Sequence, residues 1–319
     1  MSIKFRLTAM QFLQFFIWGA WLISLGGYMG GTLHFEGGQI GAIFATMGIA
    51  SLIMPGLMGI IADKWVNAER LYGILHLIGA GALIYASTAT TYSHMYWAML
   101  LNMLVYMPTL SLANTVSYNA LEQYKLDLIK DFPPIRVWGT VGFICAMWAV
   151  DLTGFKTGPA QLYVAAISAI ILGLYAFSLP GCPPARSEGK TMLSAFGLDA
   201  LVLFKRKKMA IFFLFSMLLG AALQITNTYG DLFLSSFASI PQYADSFGVK
   251  YCNFTLHFPN ERDVIHSRYS VLPETFRNKT CYAHQYVCLG IPFRIVWFRR
   301  PWQRVVDANP FHDCIWHGF

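Results

Sequence analysis

Charged residues are scarce in this sequence of 319 residues. Asp, Glu, Lys and Arg make up 12% of it, whereas hydrophobic residues make up 56% and aromatic residues 16%. A soluble globular domain carries about twice that fraction of charge. Together with a mean hydropathy of +0.48, the composition excludes an ordinary soluble domain and indicates an integral membrane protein. The net charge of +7 is therefore interpreted as a sign of membrane orientation, and we expect no nucleic-acid partner.

Common motifs of catalysis and nucleotide binding are also missing. The sequence contains no P-loop, no dinucleotide-binding glycine fingerprint and no HExxH metal motif. It shows no nucleophile–base or metal constellation, so we expect neither an enzyme nor a bound cofactor or metal. A cleavable signal peptide is not expected either, because the apolar sequence that starts near Leu7 runs past the length of a signal core.

Seven apolar segments are long enough to cross a bilayer, which takes about 20 residues of helix. Their approximate limits are 7–29, 39–61, 71–90, 96–113, 137–152, 162–179 and 209–233. Helices are expected, because isolated strands leave backbone groups unsatisfied in lipid. The fifth segment is short, and we expect its helix to extend back through Arg136. The predicted domains are a six-helix half at 1–180, a cytoplasmic linker at 181–208, and a seventh helix with its outer loop at 209–250.

Positive charge alternates from one connection to the next. The basic connections hold Lys4, Arg6, Lys64, Arg70, Lys125, Lys130, Arg186, Lys190, Lys205, Arg206, Lys207 and Lys208. The opposite connections hold His34, Glu36, His94, Asp151 and one cation, Lys156. The positive-inside rule therefore predicts that the N-terminus and the linker are cytoplasmic. We interpret the basic cluster of the linker as solvated charge that fixes topology, in preference to a lipid or partner site.

The stretch 131–148 reads DFPPIRVWGTVGFICAMW and combines a cation with an apolar helix. We interpret its start as a polar loop followed by a first helical turn at Pro133 and Pro134, because proline fixes φ and suits that position. Small residues after Arg136 permit close helix contact. Because a charge at membrane depth is costly, Arg136 is a functional-site hypothesis. The alternative is an arginine that snorkels to the membrane surface.

A short motif, GIIADKW, ends the second apolar segment on the predicted cytoplasmic side. We expect Gly59 to allow close approach of a neighbouring helix, and Asp63 and Lys64 to pair with or cap nearby helix ends. The motif resembles the G-x-x-x-D-[KR] signature of the major facilitator superfamily. That resemblance implies a role in conformational gating rather than in substrate binding.

A more specific resemblance covers roughly residues 5 to 250. It is carried by QFLQFFIWGAWLISLGGYM in the first segment, by YMPTL in the fourth, by DFPPIRVWGTVGF in the fifth and by MAIFFLFSMLLGAALQITNTYG in the seventh. These segments resemble the nucleoside:proton symporter family of the major facilitator superfamily. The resemblance implies a bacterial inner-membrane protein of twelve helices in two halves, which imports nucleosides with protons. In such transporters the site lies near the midplane and rocking of the halves gives alternating access.

Five residues match the family's binding site. Arg136, Thr140 and Phe143 match its fifth helix, and their i, i+4, i+7 spacing puts them on one helical face. Gln224 and Asn227 match its seventh helix. Guanidinium, hydroxyl and amide groups can bond base edges and ribose, and an aromatic face can stack on a base. The alternatives are helix packing for Thr140 and Phe143, and hydrogen bonds between helices for Gln224 and Asn227.

Other polar and aromatic residues are weaker candidates for the cavity. Those at issue are Gln11, Gln14, Trp18, Trp21, Asn102, Asn114 and Tyr118. Aromatic residues at such spacing more often pack or anchor at the membrane interface, and the sequence does not choose between cavity and packing for the polar ones. Asp231 is a candidate proton carrier, but its place near the outer end of the seventh segment favours a solvated carboxylate.

The character of the chain changes after Tyr251. Residues 251–319 hold four of the six cysteines and five of the eight histidines, and no apolar run of span length. Three interpretations compete: a zinc module that contains Cys281, His284 and Cys288, an extracytoplasmic disulfide domain, and a shifted reading frame. The zinc spacing fits no standard pattern.

The shifted frame is the interpretation that we favour. Back-translated from the second nucleotide of the His257 codon, the tail is compatible with the ordered SQ-x-SETLF pattern of the family's eighth helix. We therefore expect an irregular, poorly ordered tail at 251–319, and no transport by this chain alone, since the later helices are missing. Nucleotide sequence from about codon 245 onward tests this, because an intact alternative frame should continue through those helices.

The sequence thus predicts an all-α membrane protein, with the six-helix N-terminal bundle of the major facilitator superfamily, a seventh helix and an irregular tail. The leading function is nucleoside import by proton symport, with nucleosides, protons and the lipid bilayer as partners. One alternative is a facilitator-type porter for another polar solute, such as a sugar. Another is a non-transporting membrane remnant or accessory protein, which would insert stably without uptake.

Overall fold

The computed structural model describes residues 2–184 and 204–237. Every regular element in these two ranges is helical, which confirms the predicted all-α class for the described part of the chain. The tail at 251–319 and most of the linker at 181–208 lie outside the described residues. The predictions made for them, including the zinc, disulfide and frameshift interpretations, stay predictions, as do the domain boundaries.

The seven predicted segments hold eight α-helices in the described ranges. They are α1 (Ile3–Gly19), α2 (Leu25–Gly31), α3 (Gly37–Lys64), α4 (Ala68–Ser87), α5 (Tyr92–Gln123), α6 (Leu128–Leu152), α7 (Ala160–Ala176) and α8 (Lys207–Ser236). A 3₁₀ turn at Phe155–Thr157 connects α6 to α7. By length and composition, α3, α4, α5, α6 and α8 can each cross a membrane, whereas α7 is apolar but shorter, with 17 residues.

The first predicted span is broken. Instead of one helix over 7–29, α1 ends at Gly19 and α2 starts at Leu25. In the turn between them, the N–H of Leu22 donates to the carbonyl oxygen of Trp18 at 3.0 Å. The buried hydroxyl of Ser24 donates to Gln161 Oε1 at 2.7 Å. This bond ties the break to α7, a tertiary contact that the hydropathy pattern does not report.

The start of α6 differs from the prediction as well. Asp127 caps this helix, since its side chain accepts hydrogen bonds from the backbone N–H groups of Ile129 and Lys130, as Asp commonly does at an N-cap. The predicted polar loop before Pro133 is therefore wrong. Pro133 and Pro134 lie inside the helix rather than in its first turn, where each removes one backbone hydrogen bond.

Helix packing positions the residues of the candidate site. α1 packs against α6 and α7, while α5 packs against α3 and α4. α8 packs against α2 and α3. A Cβ added at Gly26 would collide with the backbone oxygen of Thr228, and one at Gly27 with the carboxylate of Asp231. The glycines of α2 thus let α8 approach at backbone distance.

The chain leaves α7 along a fixed path on the predicted cytoplasmic side. The N–H of Cys182 donates to Glu69 Oε2 at 2.8 Å, and the N–H of Ala68 donates to the Cys182 carbonyl at 3.1 Å. Gln123 Nε2 donates to the Gly181 carbonyl at 2.7 Å. These bonds fasten the first residues of the predicted linker to the start of α4 and the end of α5.

Candidate functional site

Three of the predicted site residues share one face of α6. Because Leu128–Leu152 is one continuous helix, Arg136, Thr140 and Phe143 lie one above the other, as their spacing predicts. All three side chains are half-buried. This face of α6 is turned towards α1, which supplies the neighbouring side chains.

α1 and α6 approach each other through glycine. A Cβ added at Gly19 of α1 would collide with the carbonyl oxygen of Phe143, and one added at Gly142 of α6 with the carbonyl oxygen of Phe12. The two backbones are therefore in direct contact at Gly19 and at Gly142, and only glycine allows this at these two positions. The close approach brings side chains of α1 within reach of Arg136.

The guanidinium of Arg136 lies over the ring of Phe15. The Arg136 Cζ atom is 4.0 Å from the ring centroid, well inside the range of about 6 Å over which a cation is attracted to an aromatic face. The ion pairs formed among the described residues join Lys4 to Asp131, Lys130 to Asp127 and Lys156 to Asp151. In this part of the chain Arg136 therefore has an aromatic partner rather than a carboxylate.

An aromatic cluster surrounds this contact, formed by Phe15, Trp18, Tyr106 and Phe143. Trp18 and Phe143 meet edge to face, with centroids 6.2 Å apart and planes at 89°. Trp18 is 6.1 Å from both Phe15 and Tyr106. The buried Nε1–H of Trp18 has no hydrogen-bond partner among the described residues. An unpaired buried donor costs about 1–3 kcal/mol, so a polar ligand or a water molecule that accepted from it would be stabilised there.

A buried polar network centred on Gln14 of α1 lies next to the aromatic cluster and contacts it through Tyr106. Its Oε1 accepts from the Tyr72 hydroxyl at 2.6 Å and from His76 Nε2 at 2.8 Å, and its Nε2 donates to Thr109 Oγ1 at 2.9 Å. The Tyr106 hydroxyl donates to the backbone oxygen of Gln14 at 2.6 Å. Gln14 therefore joins α1 to α4 and α5.

The other weak candidates have mixed positions. Gln11 is fully buried and its Nε2 donates to Ser117 Oγ of α5 at 3.3 Å. Trp21 is 1% exposed and belongs to the apolar core, which fits the packing interpretation. Asn102 is buried, and its Nδ2 has no hydrogen-bond partner within 2–184 or 204–237. Tyr118 packs edge to face with Phe132 at 4.6 Å.

The two site residues predicted on the seventh helix lie apart from this cluster. Gln224 and Asn227 are half-buried on α8, whose main packing partners are α2 and α3 rather than α6. Gln224 Nε2 donates to Thr228 Oγ1 at 3.3 Å. This bond stays within α8, so it is not the interhelical bond that the alternative interpretation of Gln224 requires. The structure thus groups the predicted residues into an α1–α6 set and an α8 set.

One expectation on α8 is wrong. Asp231 is not a solvated carboxylate, because only 3% of it is exposed. Its carboxylate lies where a Cβ of Gly27 would project. The buried position follows from the glycines of α2, which leave room for this side chain between the two helices.

The gating motif lies at the end of α3, as predicted, but without the expected close contact. A Cβ added at Gly59 would meet no described atom within 4 Å, so the expected close approach is wrong for this part of the chain. Lys64 is exposed and Asp63 half-buried, and neither forms an ion pair with a described residue.

Burial and the carboxylates of Glu69 and Asp63 raise the pKa of the Cys182 thiol to about 11.

Sequence reasoning missed Phe15 and the part played by Gly139. A Cβ at Gly139 would lie 2.6 Å from Phe15 Cδ2 and 2.9 Å from Arg136 Nη1, so this glycine makes room for both groups. One pattern points to such a pair: a single arginine on an apolar helix needs a partner, and the first segment is rich in aromatic residues. The choice of Phe15 among them depends on the packing of α1 against α6.

Comparison with known proteins gives consistent matches. The family described as "Nucleoside H+ symporter" matches residues 1–258. Xanthosine permease of Escherichia coli (strain K12) is 54% identical over 257 residues, which cover 80% of this chain and 62% of the relative. Nucleoside permease NupG of the same organism is 49% identical over the same shares. The chain therefore spans about three fifths of the length of these relatives.

Solved structures give the same assignment as the sequence matches. The crystal structure of the nucleoside transporter NupG is similar with a TM-score of 0.71 and 49% identity, and covers 79% of this chain and 63% of that one. A mutant of NupG gives a TM-score of 0.74. The family match ends at residue 258, close to the change of composition after Tyr251. The chain is a multi-pass membrane protein with the major facilitator type of fold, and it belongs to the nucleoside H+ symporter family.

Proposed function

We propose that this chain serves nucleoside transport by proton symport, and that the α1–α6 set contributes to the nucleoside site. The observation that carries the proposal is the Arg136 guanidinium beside the aromatic cluster, on one face of a membrane-spanning helix. The names of the relatives support the same substrate class, since one is a permease for xanthosine and another for nucleosides.

The chemistry of this face suits a nucleoside. Arg136 supplies charged N–H donors for the carbonyl oxygens of a base or for ribose hydroxyls. Phe143 offers an aromatic face on which a base can stack, and the hydroxyl of Thr140 both donates and accepts. Gln224 and Asn227 on α8 would add amide groups as a second set. No bond is made or broken in this function, so no enzymatic step is assigned.

For orientation, the N-terminus is proposed to be cytoplasmic, in the inner membrane of a bacterium. The charge asymmetry of the connections supports this. The connection between α6 and α7, on the proposed outer side, carries a single cation, Lys156, which lies 3.0 Å from the buried side chain of Asp151.

The proposal is tested by nucleoside binding to the purified chain in detergent. Radiolabelled xanthosine and uridine are the probes, and unlabelled nucleosides, free bases and sugars are the competitors. We expect competition by nucleosides and none by sugars, and at least tenfold weaker binding to the Arg136→Gln variant, since a hydrogen bond to a charged group is worth about 1.5–3 kcal/mol. Exposed Arg70 gives the matched control, Arg70→Gln. Competition by sugars alone would favour the porter for another solute.

Uptake is measured separately, with the same chain in liposomes and an imposed proton gradient. If residues 251–319 are translated out of frame, binding without uptake is expected. Uptake at the rate of a full-length relative would contradict the frameshift interpretation. Stable insertion with neither binding nor uptake would favour the non-transporting remnant.

A further inference from the structure

We propose that Phe15 is a positioning residue for nucleoside binding, which holds the guanidinium of Arg136 through the face of its ring. The inference rests on the proposed function, because it takes Arg136 to be a ligand of the nucleoside. Phe15 acts through Arg136 and does not itself need to touch the substrate.

The first step is the packing of three groups at one point. Arg136 Cζ lies 4.0 Å from the Phe15 centroid, and a Cβ at Gly139 would meet both the ring and the guanidinium at less than 3.0 Å. The ring and the cation therefore fill the space that the missing side chain of Gly139 leaves. The guanidinium is confined between the ring and the helix that carries it.

The second step is the fixed position of the ring. The contacts of Gly19 with the Phe143 carbonyl and of Gly142 with the Phe12 carbonyl lie on either side of Phe15 along α1. Backbone atoms in contact have no rotamers through which they can yield, so the distance between α1 and α6 is set at both points. Phe15 is thus held by the helix pair rather than by its own flexibility.

The third step concerns what the guanidinium keeps free. The carboxylates that form ion pairs within the described ranges are bonded to lysines and not to Arg136. A contact through an aromatic face uses the positive charge but consumes none of the five N–H donors. A carboxylate partner would occupy two of them in a bidentate pair. The ring thus orients Arg136 while its donors stay available for a ligand.

The experiment compares three variants by binding of radiolabelled xanthosine and uridine to the purified chain. Phe15→Leu keeps bulk and loses the aromatic face, Phe15→Tyr keeps the face, and Phe16→Leu is the matched control on the same helix. Phe16 pairs with Phe12 at 5.9 Å, whereas the cation–π contact of Arg136 within the described residues is made with Phe15. We expect the Kd to rise about 5- to 30-fold for Phe15→Leu, and to stay within about threefold for the other two. Equal effects of the two leucine variants would overturn the positioning role.

A second measurement is independent of any ligand. In the chain labelled with ¹³C and ¹⁵N arginine, the Arg136 guanidinium resonance is identified by its loss in Arg136→Lys. The ring current should displace this resonance, the displacement should disappear in Phe15→Leu, and it should persist in Phe15→Tyr and Phe16→Leu. A resonance unmoved by Phe15→Leu overturns the inference. If the displacement is present but the wild-type chain binds no nucleoside, the proposed function fails, and the role in binding fails with it.

Discussion

The Gln14 network gives the sharpest prediction of stability. Replacement of Gln14 by Met keeps the volume and removes three side-chain hydrogen bonds. Thr109 keeps a partner, because its hydroxyl also donates to the Tyr106 carbonyl at 2.6 Å. Tyr72 and His76 each lose the bond to Gln14 in a buried site. The cost of the variant is therefore concentrated in these two groups.

The size of the effect depends on the reference state. In water-soluble proteins, two stranded buried polar groups would cost about 2–6 kcal/mol. Hydrogen bonds between membrane helices average only about 0.6 kcal/mol, with a maximum of about 1.7, because the unfolded chain in the membrane also finds partners. Three such bonds give about 2 kcal/mol. We expect the free energy of unfolding to fall by about 2 kcal/mol, with about 5 kcal/mol as a ceiling.

The assay is unfolding of the purified chain by SDS in mixed micelles, followed by far-ultraviolet circular dichroism. Gln11→Met is the matched control, since Gln11 is the same residue type on the same helix and equally buried. It makes one bond, at 3.3 Å, and its Oε1 has no hydrogen-bond partner among the described residues. We expect it to cost less than about 1 kcal/mol. Equal losses for the two variants would refute the reasoning, because burial alone would then explain them.

Two further predictions concern close contacts and the thiol. Gly142→Ala should lower the unfolding free energy by about 1–3 kcal/mol, because the added Cβ meets the Phe12 carbonyl. Gly59→Ala should be neutral or stabilising, because its Cβ meets no described atom. The same SDS titration compares the two variants, and equal effects would contradict the α1–α6 contact. Cys182, with its pKa raised to about 11, should react slowly with iodoacetamide at pH 7.5 and faster as the pH rises towards 11. Glu69→Gln should lower the pKa of the thiol and speed the reaction. Peptide mass spectrometry follows the rate at Cys182, and a plateau already at pH 9 would argue against a raised pKa.

Hydropathy located the helices but not their ends. It gives 96–113 for the fourth segment, whereas α5 reaches Gln123, because polar residues lower the mean hydropathy of 114–123 although Val116, Ala120 and Leu121 stay buried. Asp127 caps α6, whereas the prediction placed the first helical turn at Pro133 and Pro134. The break after Gly19 is accompanied by the hydrogen bond between Ser24 and Gln161 of α7, which no local pattern reports.

The candidate site was predictable only where it depends on local spacing along one helix. The shared face of Arg136, Thr140 and Phe143 follows from helical spacing, which is a local property. Phe15 as the partner of Arg136, and the buried position of Asp231, depend on which helix lies alongside. Glycines decide both cases: those of α6 admit α1, and those of α2 admit the Asp231 carboxylate. A glycine in the sequence does not show which neighbouring helix or side chain will pack against it.

The backbone contact between α1 and α6 also has a mechanical consequence. Helices joined through side chains can slide as rotamers change, whereas helices joined through carbonyl groups at Gly19 and Gly142 are stiff against relative sliding. We expect the pair to move as one rigid body in any conformational change of these helices. Arg136 would then keep its aromatic partner throughout that change, so its charge would stay against the Phe15 ring. A cysteine cross-link between α1 and α6 should accordingly leave nucleoside binding intact, and loss of binding on cross-linking would exclude this rigid pair.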